Sequence, residues 1–396
     1  MIIIKLCFLA LIVLVAGLGV AAASAVGEQK LRVLSLSGSA YDRGLQHGSQ
    51  LRSEIAKVVD LWKADLQQQT KLEPDALIKN FLAATDFIPA TKQWTPDLLE
   101  EVRGIAAGAG QPFDTMFAFQ LVDELWVYLD KADAHHCSSM GVPRIGNHPA
   151  IVAQNMDLES FREGFQVILR IPSGPASPAQ LVFTCAGLVG LNGMNNRGVA
   201  LACNTLMQLG ASTTGLPVAF VIRGVLAQSN AEDAVKFLTS VPHASGQNYI
   251  LGTTDRVFDF EASASKVVPF KPSANGTVYH TNHPLANDDL KPWHRQRMEA
   301  ESPEKQAQSN SAVRFASVQR RLARPADVID TGVIRETLQS KDSDRHPVCR
   351  PVKSGGASFT FGSVIMSLSE KPGLEVSAGS PDVNPYVALS FSDFGK

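Results

Sequence analysis

The pattern of hydrophobic residues changes at Cys137, and this change limits the folds that the chain can adopt. Before Cys137 the apolar residues recur at helical spacing, most clearly across 51–66, which predicts a mostly helical segment. After it come short alternating or β-branched stretches separated by turn residues, and these favour antiparallel strands, of which the first four after Cys137 are expected to be consecutive. Two groups of such strands with helices outside them predict an α+β or layered αββα architecture. The expected strands are 30–36, 150–157, 166–171, 180–186, 198–204, 248–252, 257–261, 266–270, 359–368, 373–378 and 386–391.

The composition of the 396-residue chain excludes several functional classes. Its 36 basic and 38 acidic side chains give a net charge of −2, which argues against a nucleic-acid-binding protein, because such a protein needs a basic face. The same balance excludes a highly acidic disordered chain. With 45% hydrophobic residues and ordinary glycine and proline content, the chain has enough apolar residues to form the hydrophobic core of one large domain or of two medium-sized domains.

The first 25 residues form a segment with a composition of its own. Lys5 is the only charged side chain there, residues 7–20 are nearly all apolar, and small residues occupy 21–25. This pattern predicts a secretory signal that is cleaved after Ala25, and hence a soluble mature protein in a periplasmic or extracellular space. The alternative is an uncleaved N-terminal anchor helix. In either case we expect membrane contact only through this segment.

Removal of the signal would leave four cysteines, and export would permit disulfides between them. Cys185 and Cys203 lie on strands that we expect to be neighbours, so this pair could form a bridge, although pairing does not follow from sequence alone. The spacing contains no Cys-x-x-Cys unit, which argues against a zinc site. The other two cysteines of the mature chain are Cys137 and Cys349.

Cys137 stands where a polar loop meets the first expected strand after the helical segment. A cysteine there can be a core thiol, a metal ligand together with the polar side chains just before it, or a nucleophile. Those preceding side chains are Asp133, His135 and His136, and their close spacing does not match a known ligand pattern, so we expect no metal. The residues themselves leave the core thiol and the nucleophile both open.

Further polar motifs follow at the ends of expected strands and helices. Each alone has an ordinary structural explanation, namely a turn carboxylate, an Asx turn or a solvated surface charge. They occupy residues 38–48, 154–157, 192–204, 281–284, 293–299 and 346–350. We expect the unit that begins at Asn192 to be a tight turn into the strand at 198–204.

Taken together and in this order, these motifs resemble the acyl-CoA:6-aminopenicillanic acid acyltransferase family. That family is a branch of the N-terminal-nucleophile hydrolases and is related more distantly to the choloylglycine hydrolases. The resemblance extends from about Leu34 to Phe391 and includes the Gly-x-x-His-Gly unit at 44–48.

The resemblance implies a four-layer αββα sandwich of two antiparallel sheets, made as an inactive precursor that cuts itself before Cys137. The implied organisation is a signal peptide at 1–25, a mostly helical small subunit at 26–136 and a large catalytic subunit at 137–396. The two fragments would remain together as a heterodimer. The best-known member of the family has glycine before the nucleophile, whereas this chain has His136, whose side chain restricts the backbone at the bond to be cut.

The resemblance also implies roles for individual residues. Cys137 would be the nucleophile, and its α-amino group, freed by the cut, would accept the thiol proton. Asp157 would position that amine, and Asn282 would donate to the oxyanion. Arg350 would favour the thiolate. Asn204 matches an oxyanion-hole residue of the more distant hydrolases, and Asn155 would orient the site.

These roles lead to three hypotheses about function. The first is hydrolysis of a small N-acyl amide through a thioester on Cys137, without metal or cofactor. The second is transfer of an acyl group, from acyl-CoA or an amide, to an amine such as a penicillin nucleus; export disfavours acyl-CoA, which is an intracellular donor. The third, from another class, is a secreted non-catalytic binding protein that retains the fold.

Overall fold

The computed structural model describes residues 31–130, 136–175, 177–353 and 356–394. The expected signal at 1–25, Asp133 and His135 lie outside these ranges. Within them, no helix combines the length and the apolar character needed to cross a membrane.

Helices dominate the part of the chain before Cys137 and recur after it. Local signals set several of their ends: Ser39 and Asp42 form a capping box at the start of α1, and proline occupies the first turn of α3, α4 and α5. The helices are α1 (Ala40–Gln50), α2 (Arg52–Thr70), α3 (Pro74–Ala84), α4 (Ile88–Trp94), α5 (Pro96–Ala109), α6 (Phe113–Gln120), α7 (Val122–Tyr128), α8 (Val218–Leu226), α9 (Ala231–Ser240), α10 (Pro292–Ala300), α11 (Pro303–Ala307), α12 (Asn310–Leu322) and α13 (Thr331–Leu338).

The strands form two sheets. The first has the order β1-β4-β5-β6-β7-β8-β9-β10 and the second has the order β11-β2-β3-β12-β13-β14. All pairs are antiparallel except β1 with β4. The strands are β1 (Arg32–Ser35), β2 (Ser138–Val142), β3 (Ala150–Glu159), β4 (Gln166–Ile171), β5 (Gln180–Cys185), β6 (Asn192–Asn195), β7 (Ala200–Thr205), β8 (Gln247–Gly252), β9 (Val257–Ala262), β10 (Val267–Pro269), β11 (Val278–His280), β12 (Ser358–Leu368), β13 (Gly373–Ala378) and β14 (Val387–Ser390).

The two sheets face each other and helices cover their outer sides. Strands β2 and β3 of the second sheet contact β7 and β8 of the first. Helix α8 packs on β6 and β7, while α12 packs on β11 and α13 on β3 and β12. Every residue of β2 and β3 is buried, as expected for strands that are covered on both faces. The predicted four-layer αββα sandwich is therefore confirmed.

The Gly-x-x-His-Gly unit of α1 has a packing role. A Cβ at Gly44 would lie 1.9 Å from the carbonyl oxygen of Glu101, and one at Gly104 would lie 2.1 Å from that of Tyr41. Gly48 and Gly108 repeat this arrangement one turn further along. Glycine at these positions lets α1 and α5 approach until their backbones touch. His47, in the same unit, accepts a hydrogen bond of 3.0 Å from the backbone N–H of Gly187.

A buried ion pair links the helices before Cys137 to the segment after it. Arg223 on α8 donates to both carboxylate oxygens of Glu101 on α5, at 2.8 and 3.2 Å. Both side chains are almost inaccessible to solvent. Arg223 depends on this carboxylate, because a buried charge without a partner is strongly destabilising, whereas Glu101 has Arg43 as a second cation at 3.5 Å.

The prediction that Cys185 and Cys203 lie on neighbouring strands is wrong. Strand β6 lies between β5, which carries Cys185, and β7, which carries Cys203. Two strand spacings amount to about 10 Å, beyond the reach of a disulfide. Both residues are free, buried thiols, as are Cys137 and Cys349.

Two further expectations need correction. The segment from Asn192 is itself a strand, and the turn is confined to 196–199, where the Asn195 side chain accepts the N–H groups of Arg197 and Val199. Strand β3 pairs with β2 and β12 and is not consecutive with β4 in one sheet. Strand order depends on long-range pairing, which local patterns do not contain.

Candidate active site

Cys137 directly precedes β2 and points between the two sheets. Side chains alternate along a strand, so Met140 and Val142 face the outer helices, while Cys137 belongs to the core on the inner side. Ser138 pairs with Asn155 on β3, which brings Cys137 beside Asp157 at the far end of that strand. Cys137 is 4% exposed.

Polar groups from two separate segments hold the backbone of Cys137. Its N–H donates to Asn282 Oδ1 at 2.7 Å, and its carbonyl oxygen accepts a hydrogen bond from Arg314 Nη1. Arg314 also donates to Ser138 Oγ at 3.0 Å and to Asn282 Oδ1 at 2.9 Å. The residue that would become a new N-terminus is therefore fixed on both sides.

Arg314 is a site residue that sequence reasoning missed. It lies on α12 and is completely buried, and the other buried residues of this helix are Ser317, Val318 and Leu322. The available signal was its place on the apolar side of an amphipathic helix, where an arginine needs a buried partner. Burial lowers its pKa to about 10, so it remains a cation at neutral pH.

The environment of the thiol favours its protonated form. Burial raises the pKa of Cys137 to about 12, and the charge of Asp157 adds to this rise. A hydrogen bond from the backbone of Asp157 and the charge of Arg314 act in the opposite direction. A thiol in these surroundings becomes a nucleophile only with a base at short range.

Asp157 is fixed by two partners. Thr360 Oγ1 donates to its Oδ1 at 2.7 Å, and Arg350 Nε donates to its Oδ2 at 3.2 Å. Burial raises the pKa of Asp157, and the guanidinium groups of Arg350 and Arg314 offset part of that rise. Arg350 thus contacts the carboxylate, whereas the cation that touches Cys137 is Arg314.

Asn282 lies in a tightly bonded loop. Its side-chain Nδ2 donates to the carbonyl of Thr205 at 3.1 Å, and its backbone N–H donates to Ser311 Oγ at 2.7 Å. Gln208 Nε2 donates to its carbonyl oxygen at 3.0 Å. The side-chain oxygen of Asn282 therefore accepts from the nitrogen of Cys137, and its Nδ2 donor is directed at the carbonyl of Thr205.

A buried glutamate and a buried histidine form hydrogen bonds to the loop that carries Asn282. Glu261 accepts hydrogen bonds from three consecutive backbone N–H groups at 285–287 and from His280 Nε2 at 2.8 Å. His280 Nδ1 lies 2.8 Å from the carbonyl oxygen of Thr281, so both ring nitrogens face acceptors, an arrangement that favours the protonated ring. Burial would lower the pKa of His280, but Glu261 and Asp259 raise it above its usual value.

Asn155 and Asn204 lie next to this centre. Asn155 Nδ2 donates to the carbonyls of Leu338 at 2.7 Å and Val348 at 3.0 Å, which ties β3 to the segment that carries Arg350. Asn204 accepts a hydrogen bond from Ser139 Oγ, two residues after Cys137. Both amides are completely buried.

Two spaces of different character lie near Cys137. A small chamber of about 50 Å³ adjoins the thiol and is mostly apolar; Leu188, Ala219 and Ile222 are among the side chains that line it. On the other side, a groove of about 860 Å³ is lined by His136, Asn282 and polar residues of α10 to α12. Thr205 borders both spaces. We call them the chamber and the groove.

The arrangement contains the parts that acyl transfer requires. These are the thiol of Cys137, the carboxylate of Asp157 with its arginine, and the amide of Asn282, whose oxygen accepts from the nitrogen of Cys137. In the part of the chain that the structure describes, no group of His, Cys, Asp and Glu side chains is arranged to hold a metal ion.

Comparison with known proteins agrees with the sequence motifs. A sequence model of the acyl-coenzyme A:6-aminopenicillanic acid acyl-transferase family matches residues 146–376, a range that includes Asp157, Asn282, Arg314 and Arg350 and begins just after Cys137. The acyl-coenzyme A:6-aminopenicillanic-acid-acyltransferase 40 kDa form of Emericella nidulans is 27% identical over 263 residues, which are 64% of this chain and 70% of that protein.

Solved structures were also compared. Penicillin V acylase from Agrobacterium tumefaciens superposes with a TM-score of 0.43 and 14% identity over 64% of this chain and 86% of that one. The Caenorhabditis elegans ortholog of N-acylethanolamine-hydrolyzing acid amidase gives 0.40 and 16% over 58% and 92%. Because the family match covers more than half of the chain, this protein belongs to the acyl-coenzyme A:6-aminopenicillanic acid acyl-transferase family and is an enzyme.

Proposed function

We propose that this chain is an exported, self-processing amidohydrolase whose nucleophile is the N-terminal cysteine that the cut creates. The observation that carries the proposal is the setting of Cys137, whose nitrogen, carbonyl and thiol are contacted by Asn282, Arg314 and the backbone of Asp157 respectively. Export rests on the composition of residues 1–25.

In the proposed maturation, Sγ of Cys137 attacks the carbonyl carbon of His136 and the peptide C–N bond breaks. The nitrogen of Cys137 takes up a proton and becomes an α-amine, while His136 is held as a thioester. Water then hydrolyses the thioester, which leaves a carboxylate on His136 and a free thiol on Cys137. Arg314 and Asn282 would hold the backbone in position during these steps.

In the proposed turnover, the new α-amine supplies the base that the buried thiol lacks. Its ordinary pKa is about 7.7–8, so roughly a tenth to a sixth of it is neutral at pH 7 and able to accept the thiol proton. The thiolate attacks the substrate carbonyl, and the amine passes the proton to the leaving nitrogen. Water then releases the acid from the thioester. Asp157 would orient the α-amine, and Asn282 Nδ2 would leave the Thr205 carbonyl and donate to the oxyanion.

The first test is the intact mass of the purified mature protein together with a denaturing gel. We expect fragments of about 12 and about 28 kDa for residues 26–136 and 137–396, with the larger one beginning Cys-Ser-Ser-Met. Cys137→Ala should remain uncut and inactive. Cys203→Ala, which changes a second thiol at the same chamber, is the matched control and should process normally. A single uncut wild-type chain would favour the binding-protein hypothesis instead.

Acyl transfer to an amine is the second candidate, because the relative from Emericella nidulans carries an acyltransferase name. The groove is wide enough for an acceptor amine. The two activities differ in the fate of the thioester. If millimolar amounts of an added amine capture most of the acyl group in competition with water, the enzyme is a transferase; if the free acid dominates, it is a hydrolase.

A further inference from the structure

The chamber and the groove differ in width and openness, and this difference indicates which part of an amide substrate each would bind. The chamber is narrow and adjoins the thiol, whereas the groove is wide and more open to solvent. An amide substrate has an acyl part, which remains bonded to the enzyme as a thioester, and an amine part, which leaves first. The amine part therefore needs the open side, and the acyl part can occupy an enclosed one.

The walls of the chamber suit a hydrocarbon. Leu188, Leu191 and Ile222 contribute aliphatic side chains, and each is at least largely buried. The acidic group at its edge is Asp123, whose Oδ2 accepts hydrogen bonds of 2.7 Å from Thr205 and from Gln247. A polar acyl group would lose its water in this space without gaining comparable partners.

The volume of the chamber limits the length of the acyl group. One water molecule takes about 10–15 Å³ of such space, so about 50 Å³ corresponds to roughly four waters. A methylene group occupies about the same volume as a water molecule. The chamber therefore has room for an acyl chain of about four carbon atoms.

We infer that the substrates are amides of short, apolar carboxylic acids, with the acyl chain in the chamber, the amine part in the groove, and Ile222 of α8 as a residue that limits chain length. This inference rests on the proposed acyl-enzyme and adds its substrate class. Ile222 and Ala219 lie about one turn apart on α8 and both line the chamber. Changes at these two positions should enlarge or fill the space without touching Cys137.

The test measures kcat/KM of the self-processed enzyme on amides of one fluorogenic amine whose acyl chains run from acetyl to dodecanoyl. We expect an optimum near butanoyl and a value for octanoyl that is lower by about tenfold or more, since an ill-fitting methylene commonly changes rates by such factors. Ile222→Ala should raise the hexanoyl-to-butanoyl ratio by about tenfold. Should that variant fail to fold, Ile222→Val should raise the ratio by a smaller factor, and Ala219→Val should lower it.

Met298→Ala is the matched control. Met298 lines the groove and is 40% exposed, so its truncation should leave the acyl-length profile unchanged. Equal rates for butanoyl and dodecanoyl amides would overturn the inference. So would an Ile222→Ala profile equal to that of the wild type, or a profile that shifts in Met298→Ala instead.

A second readout separates this inference from the proposed function. Acyl p-nitrophenyl esters of the same chain lengths report acylation of Cys137 directly, by mass spectrometry of the large fragment. If no amide is hydrolysed but the esters acylate Cys137 with the same length dependence, the chamber assignment stands and the amidohydrolase proposal fails. If amides are hydrolysed at rates that do not depend on chain length, the amidohydrolase proposal stands and the chamber assignment fails.

Discussion

The guanidinium group of Arg314 donates a hydrogen bond to the carbonyl oxygen of Cys137. The same side chain reaches Asn282, which in turn accepts from the nitrogen of Cys137. One buried cation thus contacts the carbonyl of Cys137 directly and its nitrogen through Asn282. Because burial otherwise keeps the thiol protonated, Arg314 is the fixed positive charge available to oppose that effect.

Conservative replacement of Arg314 should slow maturation. Lysine in Arg314→Lys keeps the charge but cannot donate to Cys137, Ser138 and Asn282 in the same planar geometry. We expect the rate of precursor cleavage, followed on a denaturing gel, to fall by about 10- to 100-fold, since misplacing a reacting group commonly has effects of this size. Arg321→Lys on the same helix is the control, because Arg321 pairs with the surface residue Asp342. An unchanged cleavage rate in Arg314→Lys would remove Arg314 from the site.

Neutralising Asp157 should lower turnover far more than stability. Asparagine in Asp157→Asn keeps an oxygen for Thr360, and the partly accessible Arg350 can turn to water. Loss of the charge that orients the α-amine should reduce kcat by about 10²-fold or more. The check is kcat on any accepted amide together with the thermal midpoint, with Asp342→Asn as a surface control. Normal kcat in Asp157→Asn would contradict the role.

The stability of the protein should fall as pH rises through the titration of Glu124. Burial raises the pKa of this carboxyl from 4.5 to about 7, and its Oε1 accepts from Val218 N–H and Ser245 Oγ. Between these two values the folded state binds more protons than the unfolded state, so stability decreases with rising pH. Glutamine in Glu124→Gln keeps the oxygen acceptor and removes the titration.

The expected result is a variant that matches wild type near pH 4 and is more stable above pH 7, by up to about 3 kcal/mol. Urea unfolding at several pH values measures this difference. A constant difference between Glu124→Gln and wild type across the range would show that Glu124 does not titrate in this window.

Filling the contact between α1 and α5 should destabilise the fold. A Cβ in Gly44→Ala would meet the carbonyl oxygen of Glu101 at 1.9 Å, so the helices must separate. We expect a loss of about 1–3 kcal/mol in the free energy of unfolding. Gly373→Ala is the control, because its added Cβ would have no neighbour closer than 3.8 Å. Equal stability of the two variants would show that the close helix contact is not required.

The sequence predicted the positions of strands better than it predicted which strands pair with each other. Strand β4 (Gln166–Ile171) was expected with the bounds that the structure has, because its apolar pattern is local. The strand at Asn192–Asn195 was missed because its polar residues read as a turn, and what makes it a strand is its pairing with β5 and β7. The error about Cys185 and Cys203 followed from that omission.

The candidate site shows the same contrast between what local motifs predict and what long-range packing determines. Cys137, Asp157 and Asn282 were named from motifs, and the structure brings them together although 145 positions separate the first and the last. Arg314 was missed because it belongs to none of the sequence motifs and is one of three arginines in α12. Its importance comes from where α12 packs, which one sequence does not reveal.

The ion pair between Glu101 and Arg223 has a consequence for how the enzyme can be made. If the chain is cut before Cys137, this pair joins two separate polypeptides. Separating them would leave Arg223 without its carboxylate, whereas Glu101 would keep only Arg43, at 3.5 Å. The cut would therefore break one peptide bond while the two fragments stay associated. Genes encoding 26–136 and 137–396 separately should give insoluble products unless both chains are synthesised together, because Arg223 would lack its buried carboxylate partner.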